Sequence, residues 1–290
     1  MNYMKNNSQN IAKNEIEDKS KKSLLPKYLV LSHFILLIIA VVSMTLNHIG
    51  IFLLYEDHQT LLELSVEVGR ITFPLFAFMA IQGVYKSSNN LNYALRLLVL
   101  GFAIDLVSFV VTGVYIGNVM VELGLGVLTL SLLNRKDIFS FFAIVPAALM
   151  IMSDFDSVPF ETEYGTYGLV LMVAFYCAEQ LGEAYLTHYS ETTRVDKDYL
   201  REENLRKYQN IAAIILLVLI GIVYSIYGNM YPNSPFIFME PKFQDFAIFA
   251  GVFIFFYSGK QGIHNMWTQG IFYMYYPLHI ALLYAIAFIF

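Results

Sequence analysis

The sequence predicts an all-α protein, a polytopic membrane helix bundle of about nine transmembrane helices with its N-terminus inside. Three observations carry this. Of the residues, 57% are hydrophobic and 14% charged, with mean hydropathy +0.56, whereas soluble domains run near 25% charged. Apolar runs long enough to cross a hydrocarbon core recur along the chain. The basic residues fall almost wholly on one side of the resulting topology, as the positive-inside rule requires.

The elements follow in order. Residues 1–27 are polar and carry Lys5, Lys13, Lys19, Lys21, Lys22 and Lys27. They lack apolar periodicity and are expected to be a disordered cytoplasmic tail. No small-residue cleavage site follows the first apolar run, so this run is expected to be a retained span. That span is drawn from Tyr28 to Leu53, and the segment 55–67 after it is read as an acidic link. The second span, Val68–Val84, would be about 25 Å long as a helix. It opens on Gly69-Arg70 and contains Pro74. A loop with Lys86 leads to a third span, Ala94–Thr112, with Arg96 in its first turn. The fourth (Asn118–Leu133) and fifth (Ile138–Met152) are separated by Arg135-Lys136. The sixth runs from Tyr164 to Leu186, and Thr187–Gln209 is read as the longest inner loop, with five basic residues. The seventh (Asn210–Tyr227), an irregular proline-containing stretch, an eighth span (Phe243–Ser258), the turn Gly259–Gly262 and a last span (Trp267–Phe290) complete the domain 28–290. On this topology sixteen of the eighteen Lys and Arg lie inside, Lys242 lies outside and Arg70 is within a span.

Several function classes are excluded or disfavoured. One cysteine, Cys177, permits neither an intramolecular disulfide nor a thiolate metal cluster, and its apolar run suggests a small core residue. No Walker, zinc, dinucleotide or nucleic-acid signature is present, and no metal site is expected.

The residues that stand out are ionisable groups within apolar runs, which tend to face a bundle interior or a cavity. His48, in Asn47-His48-Ile49-Gly50, lies near the outer end of the first span. Arg70 lies near the outer start of the second, so a short hairpin would bring the two together. His279 lies in the last span, two residues after Pro277, which removes an N–H donor and frees a backbone carbonyl. A neutral imidazole can serve as a general base, although a single interhelical hydrogen bond would also account for either histidine. Arg70 is either a snorkelling side chain or a buried, partnered one. Asp105, Glu122, Glu179 and Glu183 lie in or beside spans as candidate partners for Arg70 or Arg96. His33 is expected to be packed or interfacial, and His58, His188 and His264 solvated.

The blocks NHIG, GRITFPLFAF with Gly83, LRLL around Arg96, EYGTYG, SGKQG and FYMYYPLH resemble, in order and spacing from about Leu29 to Tyr284, the TraX family. The resemblance implies an integral membrane protein similar to conjugative pilin acetylases. It would use acetyl-CoA from the cytoplasm to modify an acceptor at the outer face of the cell membrane. The acceptor would be a pilin N-terminus or a surface glycan hydroxyl, and no nucleic acid partner is implied. His48, Arg70 and His279 fall on the family's polar motif positions and would be catalytic. Lys86 and Arg96 would contact coenzyme phosphates. Two positions depart from the pattern. Asn47 stands where the family usually has Asp, and Lys86-Ser87-Ser88-Asn89 replaces its Thr-Arg pair. The alternative reading is a non-catalytic membrane component of a conjugation or pilus assembly system, or a small-solute transporter.

Overall fold

The computed structural model describes residues 27–54, 58–113, 115, 117–155, 157, 160–194, 196–263 and 265–289. Residues 1–26 of the polar tail and His264 lie outside that set. Among the described residues there is no strand, and only an isolated parallel bridge pairs Leu31 with Tyr257. The helices are α1 (His33–Leu53), α2 (Gln59–Gly69), α3 (Thr72–Lys86), α4 (Asn90–Thr112), α5 (Val119–Leu133), a 3-10 turn (Ile138–Ala143) leading into α6 (Ile144–Met152), α7 (Gly165–Thr193), α8 (Lys197–Met230), α9 (Pro241–Gln244), a second 3-10 turn (Asp245–Phe249) leading into α10 (Ala250–Phe255), and α11 (Met266–Ile289). Among the described residues, six helical stretches are long and apolar enough to cross a membrane: α1, α2 with α3, most of α4, α7, most of α8 and most of α11. Two shorter apolar ones, Val119–Leu133 and Ile138–Met152, lie beside them. The segment drawn as the eighth span is a succession of short pieces, 241–255.

Two links become helix. The acidic segment after α1 folds as α2 because Leu62, Ser65 and Gly69 repeat at helical spacing and lie against α1. The basic stretch 187–209 is helical up to Thr193 and again from Lys197. Arg194 there adopts φ +57°, and Asp196 caps α8 by accepting from the N–H groups of Asp198 and Tyr199.

The bundle is assembled around α3. Nearly every residue from Thr72 to Val84 is buried, and α3 touches α1, α5, α7 and α10. Phe73, Phe78, Leu75, Ile81, Phe175 and Tyr257 form the centre of the core. Around it, α4 and α6 and the outer faces of α7, α8 and α11 expose many large apolar side chains. That inside-out distribution is what a lipid solvent permits. Cys177, expected in the core, is exposed on α7. Its neighbours Phe175 and Ala178 take the buried face instead.

The helix pair α1 and α2 approaches closely through small residues. Ala40, Ser43, Asn47 and Gly50 make one buried stripe on α1. Gly50 sits directly against the Ser65 hydroxyl, and a Cβ at Gly69 would stand 2.5 Å from Cβ of Asn47. Thr72 Oγ1 donates to Ser43 Oγ (3.0 Å), and Ser43 Oγ donates to the Val68 carbonyl (2.6 Å). These contacts hold the joint between α2 and α3, where Arg70 and Ile71 bond three residues back to Glu67 and Val68. The structure thereby fixes how Arg70 leaves the backbone relative to α1.

At the opposite end of α1 the chain is tied by the loop 256–262. Leu31 N–H donates to Phe256 (2.9 Å), Ser258 N–H to Leu31 (2.8 Å), His33 N–H to Lys260 (2.8 Å) and Phe34 N–H to Gln261 (3.1 Å). The basic residues Lys86, Arg96, Arg206 and Lys260 gather at this end. Arg206 is partly buried there, donating to Gln82 (2.7 Å) and Glu179 while facing the rings of Phe78 and Tyr257. It therefore belongs to a buried network spanning α3, α7 and α8, not to a solvated loop.

Candidate functional site

The two histidines singled out in the sequence meet, 231 residues apart. His48 Nδ1 lies 2.8 Å from His279 Nε2. His279 Nδ1 lies 2.9 Å from the carbonyl oxygen of Tyr275, one turn back on α11. A carbonyl only accepts, so His279 carries its proton on Nδ1 and its Nε2 is a lone pair. His48 Nδ1 must then be the donor, and His48 Nε2 is left as the unprotonated nitrogen of the pair. The Tyr275 ring stacks on His279 with centroids 5.0 Å apart. Thr45 Oγ1 donates to the Val41 carbonyl (2.7 Å) and so must accept from Tyr275 OH (2.7 Å). A single chain of hydrogen bonds from α11 to α1 thus sets the tautomer and aim of His48. α11 runs on through Pro277, whose missing N–H leaves the Tyr273 carbonyl without its helical donor.

Arg70 is buried, 6% exposed, beside Gly69 at the joint of α2 and α3. Its Nε donates to the Val66 carbonyl at 3.3 Å. Among the described residues no carboxylate lies within ion-pair distance of it. Its charge is near enough to act on His48, on Glu163 and on the aromatic cluster of Tyr164, Tyr167 and Tyr224. The four acids considered as its partners are engaged elsewhere. Asp105 accepts from Asn118 (2.8 Å), Glu122 accepts from the Gly165 N–H (3.2 Å), Glu179 binds Arg206, and Glu183 pairs with Arg201 (2.6 Å). Arg96 likewise takes none of them; its Nε donates to the Asn92 carbonyl (3.2 Å). A guanidinium held in the bundle with Glu163 near but no carboxylate in ion-pair contact is costly unless something anionic or strongly polar visits it. Asn47, adjacent to His48 in sequence, packs on Gly69, and its buried Oδ1 has no partner.

The EYGTYG block builds the wall facing Arg70. Gly165, at φ +51°, starts α7, with its N–H shared between Glu122 and Thr162. Asp154 accepts from the Thr166 N–H at 3.0 Å. This places Tyr164 flat on Phe73, with centroids 3.7 Å apart, and Tyr167 against Tyr224.

A cavity of about 460 Å³ enters from the basic end. Lys86, Ser87, Ser88, Arg96 and Gln261 line its mouth, and Val41, Met44, Phe76, Met79, Met120 and Tyr276 line its depth. Along α1 it extends from His33 to Met44, about 16 Å of helix rise. His48 lies one turn beyond Met44. The Tyr276 ring stands 5.9 Å from that of His279, edge to face, and separates the cavity from the pair. Lys86 and Arg96, expected at the coenzyme phosphates, both line this cavity. Lys86 is partly spoken for, because its ammonium donates to the Gly259 carbonyl (2.7 Å) and the Tyr257 hydroxyl (3.3 Å). No group of three or more His, Cys, Asp or Glu able to hold a metal occurs among the described residues.

Sequence reasoning missed the Tyr275 carbonyl, Thr45 and the Gln82–Glu179–Arg206 network. The two hydroxyl and carbonyl contacts leave no trace in residue type. Gln82, a polar residue in an otherwise apolar span, was a visible signal.

A family model described as TraX protein matches residues 32–194. A relative from Dichelobacter nodosus, described as probable fimbrial assembly protein FimC, serogroup H1, is 26% identical over 268 residues. The match covers 87% of this chain and 94% of that protein. No solved structure matches.

Proposed function

This chain belongs to the TraX family, and from that premise we propose that it is a multi-pass acetyltransferase of the cytoplasmic membrane, working from the cytoplasm to the outer face. The observation that supports this most strongly is the His48–His279 pair, one turn beyond the closed end of a basic-mouthed cavity. With the basic end inside, the nucleotide of acetyl-CoA rests near Arg96 and the mouth, and the pantetheine arm lies along Met44 and Met79. The thioester then reaches the level of Tyr276. From the other side an acceptor amine or hydroxyl approaches between Arg70 and the Tyr164 wall.

The reaction balances on the residues present. As the acceptor nitrogen or oxygen bonds to the acetyl carbonyl carbon, its proton passes to His48 Nε2, the free nitrogen of the pair. The His48 imidazolium is stabilised through Nδ1–H by the lone pair of His279. Arg70 faces the carbonyl oxygen as negative charge develops on it. When the C–S bond breaks, the coenzyme sulfur leaves as thiolate and takes the proton from His48. Lys86 holds the mouth in shape through Gly259 and adds positive charge there.

The relative's description as a fimbrial assembly protein supports a pilus-related acceptor, and a pilin N-terminus and a surface glycan hydroxyl both fit the chemistry. Asn47, in the place of the family's usual Asp, favours the alternative: a non-catalytic membrane component of pilus or conjugation assembly, or a solute transporter. Radiolabelled acetyl-CoA supplied to inverted vesicles separates these. Protein-dependent transfer of label to an acceptor supports the enzyme, and solute uptake with no transfer refutes it.

A further inference from the structure

The SGKQG loop, residues 258–262, has its carbonyls committed on one side. Gly259 accepts from Lys86, Lys260 from the His33 N–H and Gln261 from the Phe34 N–H. Across a trans peptide the N–H points opposite to the C=O. The N–H groups of Gln261 and Gly262 are therefore turned away from the N-terminus of α1, and that of Lys260 away from the Lys86 ammonium. That of Lys260 reaches Ser258 Oγ only weakly, at 3.4 Å, and those of Gln261 and Gly262 have no protein acceptor among the described residues. Gly259 and Gly262 both sit at positive φ, +75° and +74°, which lets the loop take this shape. A Cβ at Gly262 would press on Ser32 and Phe34, so the loop's seat on α1 is close. The Lys260 side chain is exposed and has no acid within ion-pair distance among the described residues. Gln261 lines the cavity mouth together with Lys86 and Arg96.

Consecutive backbone N–H donors beside unpaired cations make an anion-binding concavity. We infer that the 258–262 loop binds the phosphoanhydride of a nucleotide thioester donor. The N–H groups of Gln261 and Gly262 and the Lys260 ammonium would take the phosphate oxygens, and Lys86 would serve as the brace that holds the loop open to them. This rests on the reading of the cavity as the acyl-donor site, and it moves the phosphate contact from Lys86 to the loop that Lys86 supports.

The test uses the full-length protein in nanodiscs, with acetyl-CoA and S-acetylpantetheine as donors; the second lacks the phosphates. Lys260→Ala, and separately Gln261→Pro, which deletes one N–H, should each raise KM for acetyl-CoA about tenfold or more. Kinetics with S-acetylpantetheine should be unchanged. Equal losses with both donors would make the loop merely structural, and no change with either would exclude it from phosphate binding. Lys260→Ala, a surface change, keeps the result readable if Gln261→Pro disturbs the fold. Failure of the unaltered protein to bind coenzyme A or transfer from either donor would refute the donor-site reading itself, and this inference with it.

Discussion

The hydrogen-bond chain Tyr275 carbonyl–His279–His48 gives the two histidines unequal roles, and replacing each in turn exposes the difference. His48→Gln keeps a donor and an acceptor but cannot take a proton. Loss of a general base costs about a hundredfold to ten-thousandfold. His279→Ala leaves the base in place and removes its partner. A hydrogen bond to a charged group contributes about 1.5–3 kcal/mol, so losing the 2.8 Å contact to the His48 imidazolium should slow turnover by roughly 10- to 150-fold. The double substitution should be scarcely slower than His48→Gln alone, because His279 acts only through His48. The assay is acetyl transfer from labelled acetyl-CoA by protein in inverted vesicles, with coenzyme binding measured in parallel. Binding should survive in both variants, since the cavity ends a turn short of the pair. Near-normal turnover in His48→Gln, with a deep loss in His279→Ala, would reverse the assignment and make His279 the base.

Three further outcomes are expected. Arg70→Lys retains charge but loses the planar fork, and most activity should vanish while membrane insertion, read by carbonate extraction, is unchanged; full activity would show that the guanidinium contacts nothing in the reaction. Arg206→Ala strands the Glu179 carboxylate within the bundle and should destabilise the protein by about 3–5 kcal/mol, seen as a large fall in the thermal midpoint in detergent, and an unchanged midpoint would refute the buried network. Single cysteines at Ser157, before α7, and Thr193, at its last residue, in a Cys177→Ala background should react with an impermeant thiol reagent from opposite sides, and labelling from one side would refute the topology.

The parts legible in the sequence were those written in residue type. An ionisable group in an apolar run is conspicuous, so His48, Arg70 and His279 stood out, and the structure places the two histidines in contact. Composition gave the membrane helices. Segments judged by polarity alone were less legible. The acidic stretch before Val68 and the basic one after Leu186 read as loops because charge resembles solvent exposure in a sequence. Ser65 and Gly69 against α1, and Asp196 as a cap, show the helical register beneath that charge. The partners of Arg70 were unreadable for a different reason. Four acids lay at comparable sequence positions, and only the packing of α4, α5, α7 and α8 decided that each would be used elsewhere. The Tyr275 carbonyl belongs to no side chain and has no sequence signature.

The contact of Gly69 with Asn47 has a consequence for how this protein tolerates change. His48 follows Asn47 and Arg70 follows Gly69, so this close approach of two helices also sets the spacing between the two polar groups of the site. Misplacement of reacting groups by about 1 Å can cost a hundredfold in rate, while a methyl group forced between helices costs only about 1–3 kcal/mol. Residue 69 therefore works as a shim. Thickening it would detune the site in a protein that still folds and still sits in its membrane, so drift at this position would show first as lost output with the amount of protein unchanged.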